Sequence, residues 1–329
     1  MKISEHPVTT TVTTPHASGS RDEPPEASSG KPPGALPAEQ RYRARFRRVL
    51  EHIEANLDAP LALDELSSIA AFSPFHFQRQ FSALYGVGVQ ELARLLRLKR
   101  AAYRLAYRGH TVEGSVAQAA YTGGYDSPEA FARALRRQLG QSPSGLRTQP
   151  HWAAWHARWR PLSDLRRLHM PLNHTRADVR ILDFPTTRCA MLEHAGDPQL
   201  LGDTLRRFIA WRREHGLPPK VSDTYNIFHT PETVPPAEFR LTLAAATDRE
   251  IAPNPQGVVA GEIPAGRCAV LRHTGSDDLL GAAFDFLYAQ WLPQSGEEPR
   301  DYPPFCRRVS FFPDVAESEA VTELYLPLK

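Results

Sequence analysis

The length, composition and charge of the chain set the first limits on its class. With 329 residues it is long enough for about two domains, each with its own core. A net charge of +2 excludes a uniformly basic protein, yet residues 41–150 hold 16 Lys or Arg against 9 Asp or Glu, and residues 178–329 hold 15 against 22. This distribution favours a polyanionic partner for the first segment and a neutral or cationic one for the second. Ordinary solvated surface is the alternative, because both imbalances are modest.

The cysteines and the N-terminal residues predict a cytoplasmic protein. Cys189, Cys268 and Cys306 show no CxxC spacing, which indicates reduced, buried thiols. No apolar run approaches the roughly 20 residues that span a bilayer, and residues 1–15 lack the apolar stretch of a signal peptide. We therefore expect a protein without membrane association that stays in the cytoplasm.

Composition and periodicity divide the chain into segments. Residues 1–40 contain seven prolines among polar residues and glycine. Such a segment cannot bury enough apolar surface to offset its chain entropy, so we predict a disordered tail. From Tyr42 to about Arg147 apolar residues recur every three or four positions, which predicts an all-α domain over 41–150. Residues 151–177 form a linker whose three Trp (positions 152, 155 and 159) share one helical face, so we expect it to pack on a domain.

Two similar segments of the helical domain each predict a helix-turn-helix. A shift of 54 residues aligns Ser73-Pro74-x-x-Phe77-x-Arg79-x-Phe81 with Ser127-Pro128-x-x-Phe131-x-Arg133-x-Leu135. In each copy the Ser is suited to cap a helix, and the Pro fits its first turn. A short helix and a tight turn precede each copy (Leu63–Ala70 and Val116–Tyr121), and a helix over about Gln90–Tyr107 joins them. One copy alone fits a plain αα-hairpin equally well, whereas two copies on one connecting helix favour binding of double-stranded DNA.

The apolar stripe of each capped helix determines which side chains face outward. Phe77, Phe81 and Leu84 form the inward stripe of the first helix, and Phe131, Leu135 and Leu139 form that of the second. Exposed Gln and Arg near the start of such a helix suit the major groove. The outward candidates for DNA contact are Phe75, His76, Gln78, Arg79 and Ser82 in the first helix, and Glu129, Ala132, Arg133, Arg136 and Arg137 in the second.

The segments LALDELSSIAAFSPFHFQRQF, LLRLKRAAYRLA and GGYDSPEAFARALRRQLGQSPSGLR resemble the AraC/XylS family of transcription regulators over about residues 43–147. The resemblance implies seven helices, with two recognition helices placed in successive major grooves by a central linker helix. It also implies base contacts from Phe75, Gln78 and Arg79. We further name RNA polymerase as a candidate partner.

The second motif departs from the family pattern. It has Ala119 where the family usually has Ile, and the loop Gly109–Gly114 carries extra glycine. Pro128, Glu129 and Arg133 occupy the positions that correspond to base contacts. Because Pro128 and Ala132 are poor base readers, we expect mainly phosphate contacts from Arg133, Arg136 and Arg137.

After residue 178 the pattern changes to strands mixed with helices. Alternating and apolar runs predict helices near 198–214 and 277–292, and strands at Cys189–Leu192, Tyr225–Phe228, Phe239–Ala245, Val309–Phe312 and Val321–Leu326. RCAMLEHAGDPQLLG (188–202) matches RCAVLRHTGSDDLLG (267–281) at an offset of 79. The predicted fold class is therefore an all-α tandem helix-turn-helix domain followed by an α+β domain, residues 178–329, of two repeated strand-helix-strand-strand modules.

This second repeat, its H-x-G turn and the closing ELYLPL resemble the gyrase-inhibitor-like (GyrI-like) effector-binding fold. The resemblance implies a pocket between the halves for a bulky, often cationic or lipophilic small molecule. It also implies that an acidic residue on the last strand faces the pocket, and the matching residue is Glu323. Aromatic residues of the domain are mostly core by default; those we expect to line the pocket are Tyr225, Trp291, Phe311 and Tyr325.

The local sequence gives an independent reason to single out Glu323. Period-two alternation places it on one strand face with Val321 and Tyr325. A carboxylate between apolar neighbours needs a partner or access to water, and a cationic ligand stacked on aromatics supplies such a partner. An exposed glutamate on an edge strand is the alternative.

We expect neither a metal nor a cofactor, and no catalysis. In each repeat the Cys and the His are five residues apart (Cys189 and His194, Cys268 and His273) and point to opposite strand faces, so each His more simply fixes a strand-to-helix turn. Glu323 with Tyr225 can imitate an acid/base pair, but we find no nucleophile elbow, phosphate loop or metal motif. Hydrolysis of small molecules, and binding of another protein as in gyrase modulation, remain the alternatives to effector sensing.

Overall fold

The computed structural model of the chain describes residues 38–109, 114–170, 172–231 and 233–329. The predicted tail thus lies outside the described residues up to residue 37, as does most of the loop Gly109–Gly114. The described α-helices are α1 (Ala38–Ala55), α2 (Leu63–Ile69), α3 (Pro74–Tyr85), α4 (Val89–Arg108), α5 (Val116–Thr122), α6 (Pro128–Leu139), α7 (Pro143–Thr148), α8 (Trp152–His169), α9 (Leu201–Glu214), α10 (Leu280–Asp285) and α11 (Leu292–Ser295). A π-helical segment, Phe286–Trp291, joins α10 to α11.

The strands are β1 (Val179–Phe184), β2 (Thr187–Ala195), β3 (Thr224–Phe228), β4 (Arg240–Ala246), β5 (Val259–Ile263), β6 (Gly266–Thr274), β7 (Phe305–Ser310) and β8 (Val321–Pro327). A helical region followed by an α+β region confirms the predicted fold class. Among the residues that the structure describes, none of the helices combines the length and the apolar character needed to cross a membrane.

Helices α2 and α3 form one helix-turn-helix, and α5 and α6 form the other. The predicted caps are confirmed: the hydroxyl of Ser73 accepts a hydrogen bond from the amide of His76 at 3.4 Å, and that of Ser127 accepts one from the amide of Ala130 at 3.1 Å. Each second helix ends at a glycine in the left-handed region, where the missing Cβ removes the steric cost. Local sequence therefore defines both ends of both helices.

The turns of the two motifs differ in length and in chemistry. Four residues separate α2 from α3 (70–73), and five separate α5 from α6 (123–127). At the second residue of each turn the backbone is left-handed, with φ 55° at Ala71 and φ 73° at Gly124. A left-handed alanine is strained by about 1–2 kcal/mol, whereas glycine adopts this conformation readily.

We therefore expect opposite effects from exchanging these two residues. Ala71→Gly should raise the free energy of unfolding by about 0.5–1 kcal/mol, because the relief of strain exceeds the added chain entropy. Gly124→Ala should lower it by about 1 kcal/mol, because an alanine is strained in the left-handed conformation. No serious clash adds to this cost, since the new Cβ meets only the Arg97 side chain, at 3.5 Å. Urea denaturation checks both; effects of the same sign would show that the turn conformations are misassigned.

The helical region has one apolar core. It contains Phe77 and Phe81 of the first motif and Phe131 and Leu135 of the second, all fully buried. The segment predicted as a linker contains α8, and its three Trp lie in the same core at 3–4% exposure. The tandem motifs and α8 thus pack as one body.

The sheet consists of two related halves with exchanged strands. Its order is β1-β6-β8-β7-β3-β4-β2-β5, and all pairs are antiparallel. The leading strand β1 of the first half pairs with β6 of the second, and the leading strand β5 of the second pairs with β2 of the first. β3 and β7 join the halves. The repeat predicted this arrangement only in part, because β1 and β5 were not expected.

Two details of the sheet correct the sequence analysis. The strand predicted at Val309–Phe312 begins earlier, at Phe305, and ends at Ser310. The last strand, β8, lies between β6 and β7, so Glu323 is not on an edge strand. Helix α9, through Phe208 and Trp211, and α10 with the π-helical segment that follows it, through Leu287, cover one face of the sheet. We call the opposite face, which carries Phe184, Tyr225, Phe305 and Tyr325, the aromatic face.

Candidate functional site

The outward surfaces of α3 and α6 carry the residues expected to contact DNA. On α3, the side chains of Phe75, His76, Gln78, Arg79 and Ser82 are exposed; on α6, those of Pro128, Glu129, Arg133, Arg136 and Arg137 are exposed and Ala132 is half-buried. Phe75 is 60% exposed, and the guanidinium of Arg79 lies 4.7 Å from the centre of its ring. The α3 surface therefore offers an aromatic ring and a cation together.

The α6 surface has a different charge pattern. Glu129 lies in its first turn, where its own backbone amide and the Ser127 hydroxyl lower the pKa of the carboxyl group. Arg136 and Arg137 lie in the last turn. A carboxylate at the helix start and cations at its end suit the helix dipole, and they leave arginines as the side chains with which α6 can contact phosphates.

Helix α4 connects the two motifs, and its arginines bond to the segment before the first motif and to the end of α5 in the second. Arg97 donates to the carbonyl oxygens of Leu57 and Ala59 at 2.6 and 3.0 Å. Arg100 donates to both carboxylate oxygens of Asp58, before the first motif, and to the carbonyl of Thr122, at the end of α5, at 3.1 Å. Twenty residues of helix span about 30 Å, close to the 34 Å repeat of B-DNA.

In the α+β region, Glu323 lies on the aromatic face and is surrounded by arginines. Its side chain is 7% exposed. One carboxylate oxygen, Oε1, accepts from Arg180 Nη2 at 2.9 Å and from Arg272 Nη1 at 3.2 Å. The other, Oε2, accepts from the Tyr325 hydroxyl at 3.0 Å and lies 3.6 Å from Arg307 Nε. We call Arg180, Arg272 and Arg307 the arginine cluster.

The structure brings some of the expected effector residues together and separates others. Tyr225 and Tyr325 share the aromatic face with Glu323. Trp291 instead packs under the opposite face, in the core beside α10, and Phe311 follows β7 in a loop with Arg308 over its ring. Spacing along the chain does not reveal which face a residue occupies once helices and loops intervene, so the candidate effector residues reduce to Glu323, Tyr225 and Tyr325. No local pattern in the sequence points to the three members of the arginine cluster, which come from three different strands.

Burial raises the pKa of the two tyrosines on the aromatic face. It raises the pKa of Tyr225 to about 12, with the nearby Asp223 carboxylate adding to the effect. Burial and the neighbouring Glu323 raise the pKa of Tyr325 further above its usual range. Both phenols therefore remain neutral hydrogen-bond donors at physiological pH.

The repeated histidines have the structural role that we expected. His194 contacts the Thr204 hydroxyl at 2.9 Å and the Asp197 carbonyl at 3.1 Å, and His273 contacts the Ser276 carbonyl at 3.3 Å. The two carbonyl contacts close the turn between a strand and the next helix. Burial raises the pKa of Cys189 to about 12. Over the described ranges, the structure shows no group of three or more His, Cys, Asp or Glu placed to hold a metal.

A buried network of charges joins the helical region to the α+β region. We call it the junction and define it as Glu54, Lys99, Arg166, Asp278 and Glu317. Arg166 of α8 contacts Glu54 of α1 at 2.7 Å, Asp278 at 2.9 Å, and Glu317. Lys99 of α4 contacts Glu317 at 2.6 Å. Glu317 lies four residues before β8, so the network links α4 to the segment that leads into the strand carrying Glu323.

The charges of the junction shift each other's pKa values. Burial lowers the pKa of Lys99 to about 8, and Arg166 adds to this effect. Burial alone would raise the pKa of Asp278, but the charges of Lys99 and Arg166 outweigh it and hold the value at about 2. At neutral pH the junction therefore contains the ammonium group of Lys99 and the ionised carboxylate of Asp278. The junction was not predicted, because its members are far apart in the chain.

Two capped helix-turn-helix motifs in front of a ligand-binding type of α+β fold define the class of a DNA-binding regulator, and comparisons with known proteins agree. Residues 177–329 match the GyrI-like small molecule binding domain, and residues 66–149 match a helix-turn-helix domain. The probable transcriptional regulator YgiV of Escherichia coli is 37% identical over 153 residues, which are 46% of this chain and 96% of that protein.

Two further similarities involve about a third of the chain. The right origin-binding protein of Escherichia coli is 31% identical over 110 residues, 33% of this chain and 37% of that protein. The DNA-binding domain of AdpA in complex with a target DNA is 29% identical and covers 35% of this chain and 95% of that chain, with a TM-score of 0.28. The chain belongs to the AraC-type transcriptional regulators that carry a C-terminal GyrI-like domain. Its N-terminal domain binds DNA, and its C-terminal domain binds a small molecule.

Proposed function

We propose that this regulator binds DNA as one chain, with α3 and α6 in two successive major grooves. The observation that carries the proposal is that α4, a connector about 30 Å long, joins two exposed recognition helices, while its Arg97 and Arg100 bond to the segment before the first motif and to the end of α5. A single chain then supplies the two recognition helices that simpler helix-turn-helix proteins obtain by dimerising.

The two helices should contribute differently to recognition. Gln78 and Arg79 on α3 are exposed and suited to bidentate base contacts, whereas α6 presents Arg133, Arg136 and Arg137. We propose that α3 supplies most of the base selectivity and that α6 mainly contacts phosphates.

Substitutions of the two kinds of arginine test this division. On an operator selected in vitro, Arg79→Ala should cost about 1–3 kcal/mol and relax the preference for that sequence. Arg136→Ala should weaken operator and random DNA alike and reduce the slope of log K against log salt by about one unit. Titrations from about 50 to 200 mM salt measure both effects. Footprints that cover one groove, or an equal loss of discrimination from both variants, would contradict the proposal.

The effector site is proposed on the aromatic face, at Glu323, Tyr225 and Tyr325, and the protein is proposed to act there by binding rather than by catalysis. An acid/base role for Glu323 needs an available carboxylate oxygen, but Arg180, Arg272 and Tyr325 occupy both. YgiV is named as a probable transcriptional regulator, which supports sensing over hydrolysis.

Two further proposals follow from regulation at a promoter. RNA polymerase is a proposed protein partner, because a promoter-bound regulator lies beside it. The cytoplasm, where the target DNA is, is the proposed location. A pull-down of RNA polymerase that requires the operator would support the first; protein binding through the C-terminal domain without DNA would instead favour a gyrase-modulating type of role.

A further inference from the structure

The polar residues of the aromatic face form a row across neighbouring strands. Arg272 of β6, Glu323 of β8, Arg307 of β7 and Tyr225 of β3 are direct partners in the antiparallel register. Directly opposed residues have Cβ atoms about 4.5–5.5 Å apart, so these side chains are neighbours on one face. Arg180, from β1, reaches the same glutamate from the outer strand.

The Glu323 carboxylate is already neutralised by this chain. Both of its oxygens accept hydrogen bonds, from arginines on one and from Tyr325 on the other. The expectation of a cationic ligand depended on a carboxylate that needs a partner. Since the arginine cluster provides that partner, a cation would have to compete with guanidiniums that already hydrogen-bond to this buried carboxylate.

The arginine cluster has a net positive charge and N–H donors that Glu323 does not engage. Three guanidiniums face two carboxylates, Glu323 and Asp223, the second lying 3.6 Å from Arg307, so the local charge is positive. Each guanidinium has five N–H donors, and Glu323 engages only part of them. The side chains of Arg180, Arg272 and Arg307 are 61%, 54% and 37% exposed, which leaves these donors open to a ligand.

The other half of the domain shows that the fold does not require this arrangement. At the corresponding positions of its strands β2, β4 and β3, the row reads Glu193, Thr242 and Ile227 in place of Arg272, Glu323 and Arg307. The same backbone pairing therefore forms with one charge in the row instead of three. The arginines of the second half are a feature of this site and not a consequence of the repeat.

We propose that the effector of this domain carries an anionic oxygen group, such as a carboxylate, which the arginine cluster binds while Tyr225 and the neighbouring aromatics contact the apolar part. The inference rests on the proposed effector site and assigns its ligand class. In this arrangement Glu323 is a positioning residue: it orients guanidiniums from three strands, so that less side-chain freedom is lost when the anion binds.

Three probes of similar shape and different charge test the assignment on the full chain: naphthalene-2-carboxylate, naphthalene-2-carboxamide and naphthalene-2-methylammonium. By calorimetry, the carboxylate should bind roughly tenfold or more tightly than the amide, because bonds between charged partners are the stronger ones, and the ammonium compound should bind most weakly.

Two variants test which arginines cause the preference for the carboxylate probe. Arg272→Gln should reduce the ratio of carboxylate to amide affinity to roughly threefold or less, since it removes one of the charged donors. Arg240→Gln is the matched control: Arg240 is also 54% exposed, pairs with Glu193 and lies on the same face in the other half. It should leave the ratio unchanged. Thermal unfolding establishes that both variants fold.

The outcomes separate this inference from the proposed function. Tighter binding of the ammonium or amide probe, or an unchanged ratio in Arg272→Gln, overturns the anionic assignment and leaves the site in place. Tyr225→Leu tests the site itself. If it changes none of the affinities, or if the carboxylate fails to bind the wild-type chain at millimolar concentration, the anionic assignment fails. An absence of any effect of Tyr225→Leu would also exclude the aromatic face as the effector site. The proposal on DNA binding is tested by separate titrations.

Discussion

Replacing Arg166 by Met should lower the free energy of unfolding by about 3–5 kcal/mol. Arg166 is 2% exposed and contacts Glu54, Asp278 and Glu317, so its loss leaves buried carboxylates without their main cation. Removal of one partner from a buried ion pair costs this much because the remaining charge stays desolvated. Met keeps an unbranched apolar stem as far as the position of Nε, and the helix propensity of Arg, so the main change is the loss of the guanidinium and its hydrogen bonds.

A surface arginine provides the matched control. Arg94 of α4 pairs with Glu91 at 3.1 Å, but the two side chains are 58% and 41% exposed. Arg94→Met should therefore cost less than about 1 kcal/mol. The double variant Arg166→Met with Glu54→Gln should recover part of the loss, because the uncompensated charge is removed. Urea denaturation decides; equal costs for Arg166→Met and Arg94→Met would show that the junction does not stabilise the chain.

The helical region was the easier part to predict from sequence. Its signals are local: Ser73 and Ser127 cap helices three residues before their bonded amides, and the apolar stripes repeat within one helix. The second copy repeats the whole pattern, which favours a helix-turn-helix over a plain αα-hairpin. The turn chemistry at Ala71 was not anticipated, because an alanine gives no sign of a left-handed backbone.

The sheet and its site were predictable only in part, for a physical reason. Alternation correctly placed Glu323 and Tyr325 on one face, since this depends on neighbours within one strand. The arginines around Glu323 come from strands that precede it by 16, 51 and 143 residues. Strand order and register decide those contacts, and the exchange of β1 and β5 between the halves changes both. The same limit applies to the junction, whose members come from both regions of the chain.

Two phenylalanines of the tandem motifs should separate stability from recognition. Phe131 of α6 is fully buried in the helical core, whereas Phe75 of α3 is 60% exposed. Phe131→Ala should lower the free energy of unfolding by about 3–5 kcal/mol through lost burial and the cavity left behind. Phe75→Ala should change it by no more than about 0.5 kcal/mol, as is usual for surface positions.

When only folded protein is compared, substitution of Phe75 should weaken DNA binding more than substitution of Phe131. Phe75 lies in the first turn of the α3 recognition helix, beside Arg79, and an exposed ring there can contact a thymine methyl group. Phe75→Ala should therefore weaken operator binding by roughly fivefold or more, corresponding to about 1 kcal/mol, in a chain of normal stability. Phe131→Leu keeps most of the core volume and should cost under about 1.5 kcal/mol, so it remains folded and serves as the comparison.

Operator titrations at fixed salt, beside urea denaturation of the same preparations, measure both quantities. The expected pattern is a stable Phe75→Ala that binds poorly and a destabilised Phe131→Leu that binds nearly normally under conditions where it is folded. Normal binding by Phe75→Ala would remove the ring from the recognition surface and leave base reading to Gln78 and Arg79. A destabilised Phe75→Ala would show that the ring packs against the protein in solution. The assignment of Phe75 to the exposed surface of α3 would then be wrong.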